Sequence, residues 1–194
     1  LWGVGALNSE NARFSGEDHF LRRLNDTIAA GAPLMIWDVG ANIGDYAGRI
    51  RRYHPAARII AFEPHPITFQ QLAREARRLR FSALELALAE TAGTATLYDR
   101  AGAGTTHASL HRNVIETIHH TQAMTYEVRT ATIDGIAGAL GIERIHLLKL
   151  DAEGSELSIL RGASNLLSAG AIEAIQFEFN EMNIISRVFL RDFC

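Results

Sequence analysis

Short apolar runs alternate with amphipathic stretches at least four times in this chain, and that alternation constrains the fold more than any other feature. Leu34–Val39 and Arg58–Glu63 have the length and near-continuous apolarity of strands buried on both faces, and Ser82–Leu88, Ile145–Leu150 and Ala171–Phe179 also read as strands. Between them, Ile43–Tyr53, Ile67–Arg80, Asp134–Leu140 and Ser155–Leu167 read as helices, as does Glu17–Ala30 before the first run. In Ile67–Arg80, Leu72, Ala73, Ala76 and Leu79 fall on one side and Arg74, Arg77 and Arg78 on the other. Residues 94–98 and 126–132 alternate by twos instead, which predicts half-exposed strands. Residues 100–121, rich in Gly, Thr and His, have no period and are expected to be mobile or substrate-facing. From Glu181 onward the chain turns helical. Strand feeding helix repeatedly predicts an α/β sandwich around a mostly parallel sheet. Ligands in such sheets bind beyond the carboxyl ends of the strands.

Composition narrows the partners. With 194 residues, one domain is expected. A single cysteine, Cys194, excludes a disulfide framework and a Cys-rich zinc module. No apolar run approaches the roughly 20 residues of a membrane span and no signal peptide is visible, so a cytoplasmic location is expected. A net charge of −3 gives no electrostatic case for nucleic acid. All of the 19 basic residues except Lys149 are Arg, a bias read as genomic base composition rather than as a phosphate-binding surface.

The ends of the runs carry the chemistry. The first closes as Asp38-Val-Gly40-Ala41-Asn42-Ile-Gly44. Its glycines allow close backbone approach, and the following helix offers free N–H groups to an anion. A dinucleotide fingerprint needs Gly-x-Gly-x-x-Gly; here Asn42 stands second and Gly44 comes too early, which favours a smaller ligand with an amino-acid head group. Glu63 ends the second run 23 residues beyond Gly40, where an acid can accept hydrogen bonds from both ribose hydroxyls. The bland alternatives are a tight strand–helix turn and a solvated or helix-capping acid. The fourth run ends Lys149-Leu-Asp151-Ala-Glu153-Gly154-Ser-Glu156. Glu153 and Glu156 also suit a helix N-terminus, and Lys149 is expected to pair with a nearby acid. Glu178 and Asn180 share a face at the end of the fifth run and could join Asp151 around a hard divalent ion, although bonding to loop backbone is the preferred reading. A histidine between 100 and 121, such as His107, could act as a general base.

Asp38-Val-Gly-Ala-Asn-Ile-Gly44, Phe62-Glu-Pro64, Ala131-Thr-Ile-Asp134, Leu148-Lys-Leu-Asp-Ala-Glu-Gly-Ser-Glu156 and Leu160-Arg-Gly-Ala163 together resemble the FkbM family of S-adenosylmethionine-dependent methyltransferases, over about residues 17–181. The resemblance implies a class I methyltransferase (Rossmann-like) fold and methyl transfer, usually to a hydroxyl oxygen of a sugar or natural-product-like molecule. It implies a cofactor-binding set in which Gly40, Ala41, Asn42 and Gly44 line the methionine part of S-adenosylmethionine, with Asp38 beside them. Glu63 would hold the ribose, Ala87 and Leu88 would border the adenine, and Glu153 would lie near the methyl group. The acid that the family carries after its third strand stands here as Glu90. Asp151 or His107 is the expected base; a divalent metal is not favoured. The expected product is S-adenosylhomocysteine, and the expected partner is a small-molecule or glycan acceptor.

One methyltransferase domain is expected over 1–194, with a loop and helix at 1–33, a cofactor-binding core at 34–180 and the start of a C-terminal part at 181–194. The family's closing strand hairpin has no match before Cys194, which predicts a truncated chain or a fold completed differently. A catalytically silent cofactor-binding domain is the alternative, and a nicotinamide-dependent oxidoreductase a weaker one.

Overall fold

The computed structural model describes residues 16–27, 33–100, 108–113, 115, 123–178 and 182–193. Met35–Val39 (β1), buried along its whole length, runs up the middle of a five-stranded sheet. Arg58–Phe62 (β2) and Ser82–Leu84 (β3) flank it on one side; Ile145–Leu150 (β7) and Ile172–Phe177 (β8) flank it on the other. The order is β3-β2-β1-β7-β8 and every pairing is parallel. The order reverses between β1 and β7, the point beyond whose carboxyl ends open parallel sheets bind ligands.

Apolar clusters cover both faces. Trp37, Phe62, Leu148 and Ile159 lie in the first; Ile36, Ile50, Ile59 and Leu147 lie in the second. Each fully buried side chain of this size contributes roughly 1.5–3 kcal/mol, which is why the strands read as continuous apolar runs rather than alternating ones. Glu17–Thr27 (α1) and Asp45–Tyr53 (α2) cover the second cluster. Pro66–Leu79 (α3) starts with His65 as its N-cap and Pro66 in its first turn.

Two predicted elements are broken, each for a local reason. The run Ser82–Leu88 is two strands: after β3 the chain leaves the main sheet, and Ala87–Leu88 (β4) pairs with Ala123–Ala131 (β6). Gly93–Arg100 (β5) lies antiparallel on β6, completing a small second sheet, β4-β6-β5. The period-two runs therefore form one ribbon, with Leu97 and Val128 turned inward. The predicted helix Ser155–Leu167 is also two: Glu156–Arg161 (α5) and Ser164–Ser168 (α6). A Cβ at Gly162 would stand 2.2 Å from the Ala89 carbonyl oxygen, so the chain passes tightly here. The new N-terminus is closed by Asp134, at the start of Ile133–Leu140 (α4), whose carboxylate accepts from the N–H groups of Asn165 and Leu166. After β8, the described residues hold a short helix, Met182–Ile185 (α7), and a 3-10 turn, Leu190–Phe193, with no further strand. The expected segment 100–121 lies mostly outside the described residues, as does His107.

Arg51 donates to the carbonyls of Pro55, Ala57, Leu79 and Arg80, stitching together the C-termini of α2 and α3.

Candidate functional site

Two polar rows cross the carboxyl end of the sheet on one face. In the register of the parallel strands, Asp38 lies opposite Lys149 and Lys149 opposite Gln176. Two residues further on come Gly40, Asp151 and Glu178. The pairing continues to that level, where Asp151 donates its N–H to the Val39 carbonyl and Glu178 donates to that of Leu150. Side chains two apart on a strand share a face, so the second row stands directly above the first.

The lower row is closed: Asp38 and Lys149 are buried and Gln176 is half-buried. Asp38 has no exposed surface, and neither of its oxygens has a hydrogen-bond partner among the described residues. Its compensation is the Lys149 ammonium, 3.5 Å away. Burial pushes the Asp38 carboxyl up, and Lys149 works against that. For Lys149 itself burial lowers the pKa, but Asp151 and Asp38 outweigh it and the ammonium stays charged. Tyr46 of α2 roofs the row: its ring lies 5.2 Å from the ammonium and its hydroxyl donates to Gln176 at 2.5 Å. Gln176 donates in turn to Glu17 of α1, which also holds Arg49 at 2.6 Å.

The upper row is open. Gly40 has φ 73°, and a Cβ there would stand 1.8 Å from the Asp151 carbonyl oxygen, so only glycine fits. Asp151 accepts from Lys149 at 3.0 Å, with its side chain about one-third exposed (34%). Glu178 is exposed at the rim, yet the surrounding protein mass desolvates its carboxyl. That desolvation and the charges of Asp151 and Glu153 raise it to about 7, against the pull of Lys149.

On the other side of Gly40, the Phe62 carbonyl accepts from the N–H groups of Gly40 and Ala41, drawing the glycine turn onto β2. Asn42, at φ 49°, donates its N–H to one oxygen of Glu63 at 2.9 Å, and His65 donates to the other. The Glu63 carboxyl therefore lies against the glycine turn. It is 7% exposed, and burial raises it to about 7 against those two hydrogen bonds. Gly44, at φ 95°, starts α2.

The remaining predicted residues divide. Glu153 takes φ 50° in the turn after β7, its carbonyl accepting from the Ser109 hydroxyl. Glu156 is buried and its carboxylate accepts from the N–H groups of Ala152 and Gly154 and from Asn183, so it clamps the turn rather than facing the crevice. Ala87 and Leu88 sit in β4, not on the third strand of the main sheet, and both are buried. Asn180 lies outside the described residues, among which no group of three His, Cys, Asp or Glu is placed to hold a metal.

Three features of the site were not expected from the amino-acid order. Tyr46, Gln176 and Glu17 come from distant segments and carry no motif. His65 faces Asp99 of β5 at 3.3 Å, both 1% exposed, tying the Glu63 turn to the small sheet. His111 packs against Gly154, and burial lowers its pKa. The Pro-flanked His65 was a visible capping signal; its pairing with Asp99 was not.

Comparison with known proteins bears on what this geometry serves. The family model described as the methyltransferase FkbM domain matches residues 38–189. Methyltransferase sdnD of Sordaria araneosa is 26% identical over 187 residues, 81% of this chain and 71% of that protein. The hexuronic acid methyltransferase AglP of Haloferax volcanii is 26% identical over 137 residues, 70% of this chain and 52% of its own length. The crystal structure of a methyltransferase FkbM from Methylobacillus flagellatus KT aligns with TM-score 0.49 and 18% identity, over 82% of this chain and 39% of that one.

Proposed function

The chain belongs to the FkbM methyltransferase family, and from that premise we propose that it transfers a methyl group from S-adenosylmethionine to a hydroxyl oxygen of a sugar or natural-product-like small molecule. The observation that carries the cofactor reading is the Glu63 carboxyl lying against the Gly40–Gly44 turn, at the neighbouring ends of β1 and β2. A carboxylate has about four acceptor positions, so one that takes two backbone N–H groups retains capacity for a ribose diol. Asp38 supplies a second fit: a buried acid without hydrogen-bond partners among the described residues, beside the turn that would receive the amino-acid head group. Gly40, Ala41, Asn42 and Gly44 would line that head group, and Ala87 and Leu88 would border the adenine. The sulfonium, when bound, supplies an electrophilic methyl group. The protein's own part is to orient the acceptor and to receive its proton. The acceptor class draws support from the hexuronic acid methyltransferase among the relatives.

Calorimetry with S-adenosylhomocysteine tests the pocket. Wild type is expected to bind and Glu63→Ala to lose roughly tenfold or more in affinity, the loss of one or two charge-assisted hydrogen bonds. No binding by wild type, or equal binding by both, would overturn the reading.

A further inference from the structure

At the amino ends of β2 and β3, opposite the end that carries Glu63, the chain forms a cavity of about 810 Å³. That volume falls within the range of small-molecule sites. Three arginines line it, Arg51, Arg58 and Arg80, and no aspartate or glutamate does. Arg51 holds the backbone of the other two together. It donates at 2.9 Å to the carbonyl of Ala57, the residue before Arg58, and at 2.9 Å to the carbonyl of Arg80. With Leu79 and Pro55 added, four of its five N–H groups meet backbone oxygens, none of which carries a compensating charge. Arg58 and Arg80 are exposed, and their side chains have no hydrogen-bond or ion-pair partner among the described residues. Arg80 ends α3 at φ 57°, a left-handed conformation that glycine takes most readily.

The walls are apolar. Ile60 of β2 is buried, Phe81 is half-buried, and Leu140, at the end of α4, is 51% exposed although it lines the same cavity. Like charges gathered in an acid-free hollow repel one another and focus a positive potential into it. An anion joined to an apolar body relieves that repulsion and covers the leucine. The arginine bias of the sequence carries no such signal; the gathering of these three at one end of the sheet does.

We propose that this cavity binds an organic phosphate, a phosphate monoester on an apolar body of one or two rings. The two unpartnered guanidiniums match the charge of a phosphate dianion, and their planar N–H forks suit its oxygens. The rings would lie against Phe81 and Leu140. The site is separate from the proposed cofactor pocket: Arg58 opens β2 and Glu63 follows its last residue, about 16 Å away at the rise of a strand. It stands whether or not the chain transfers methyl groups.

Calorimetric titration of the full chain with naphthyl phosphate tests the proposal. Saturable binding at one site is expected, with inorganic phosphate, naphthol and naphthoate each at least about tenfold weaker. Arg58→Gln and Arg80→Gly are each expected to lose roughly tenfold in affinity, the loss of a charge-assisted hydrogen bond. Both should keep the urea midpoint of wild type. Glycine suits the φ 57° backbone, so binding lost in Arg80→Gly is not a folding defect. Leu140→Glu, at an exposed position, sets a carboxylate in the cavity and is expected to lose more. Glu63→Ala, and saturation with S-adenosylhomocysteine, should leave binding within about twofold of wild type, as distant sites do. Absence of saturable binding, or wild-type affinity in both arginine variants, overturns the proposal. Equal binding of naphthoate overturns phosphate as the recognised group. Displacement by S-adenosylhomocysteine puts the ligand in the cofactor pocket and overturns the separate site.

Discussion

The two polar rows lie two residues apart on the same three strands, yet they behave oppositely. Asp38, Lys149 and Gln176 sit under Tyr46 and are tied to α1 and α2; Gly40, Asp151 and Glu178 have no such roof among the described residues. A strand that rises about 3.3 Å per residue carries the second row some 7 Å nearer to the carboxyl rim, beyond the reach of the helices that close the first. The lower row turns charge into fixed structure. The upper row keeps charge accessible. One ammonium connects them: Lys149 lies 3.5 Å from Asp38 and donates to Asp151 at 3.0 Å.

The comparison can be broken from either side. The largest expected effect is Gly40→Ala. Its Cβ would stand 1.8 Å from the Asp151 carbonyl oxygen at φ 73°, so the β1 and β7 ends must separate. We expect a loss of at least about 5 kcal/mol in urea unfolding; a variant within about 1 kcal/mol of wild type would show that the upper row is not packed as described. Next comes Lys149→Met, which strands the buried Asp38. A loss of about 3–5 kcal/mol is expected at pH 8. Because the Asp38 carboxyl is already raised by burial, protonation relieves it, and the loss should shrink as pH falls. An equal loss at every pH would argue against Asp38 as the stranded charge.

Glu63 gives a smaller, pH-shaped effect. Its folded pKa, about 7, lies above the ordinary value of 4.5. Its favourable contribution is therefore full below 4.5 and is lost as pH rises through 7, by about 3 kcal/mol. Glu63→Gln should flatten that part of the pH–stability curve. An unchanged curve would mean that the carboxyl is better solvated than its burial indicates. The smallest change is Tyr46→Phe, which removes one hydroxyl donated to Gln176. About 1 kcal/mol is expected in thermal or urea unfolding, with the upper row undisturbed. A shift of the Glu178 titration in this variant would show that the rows are coupled through more than Lys149.

Much of this was legible in the chain. β1, β2 and β7 were readable because strands buried on both faces must be apolar throughout, and Asp38, Gly40, Glu63 and Asp151 stood out because they terminate those runs. The pairing of Lys149 with a nearby acid was expected over a catalytic role, and the ammonium does lie against Asp38 and Asp151. The breaks at residues 85–86 and Gly162 were not legible, because each depends on a contact with a distant segment: β6 in one case, Ala89 and Asp134 in the other. No helix among the described residues is long and apolar enough to cross a membrane.

The amino-acid order by itself determined the alternation of strand and helix, the glycine turn and the acids at the strand ends, since these depend on local burial and backbone freedom. Only the tertiary structure decided which acids share a level. That depends on the register of parallel strands joined through long crossovers, and it sets Glu178 beside Asp151 while leaving Glu156 as a clamp. Charges interact through space rather than along the chain, so their partition into a locked row and an open one exists only after the sheet has formed.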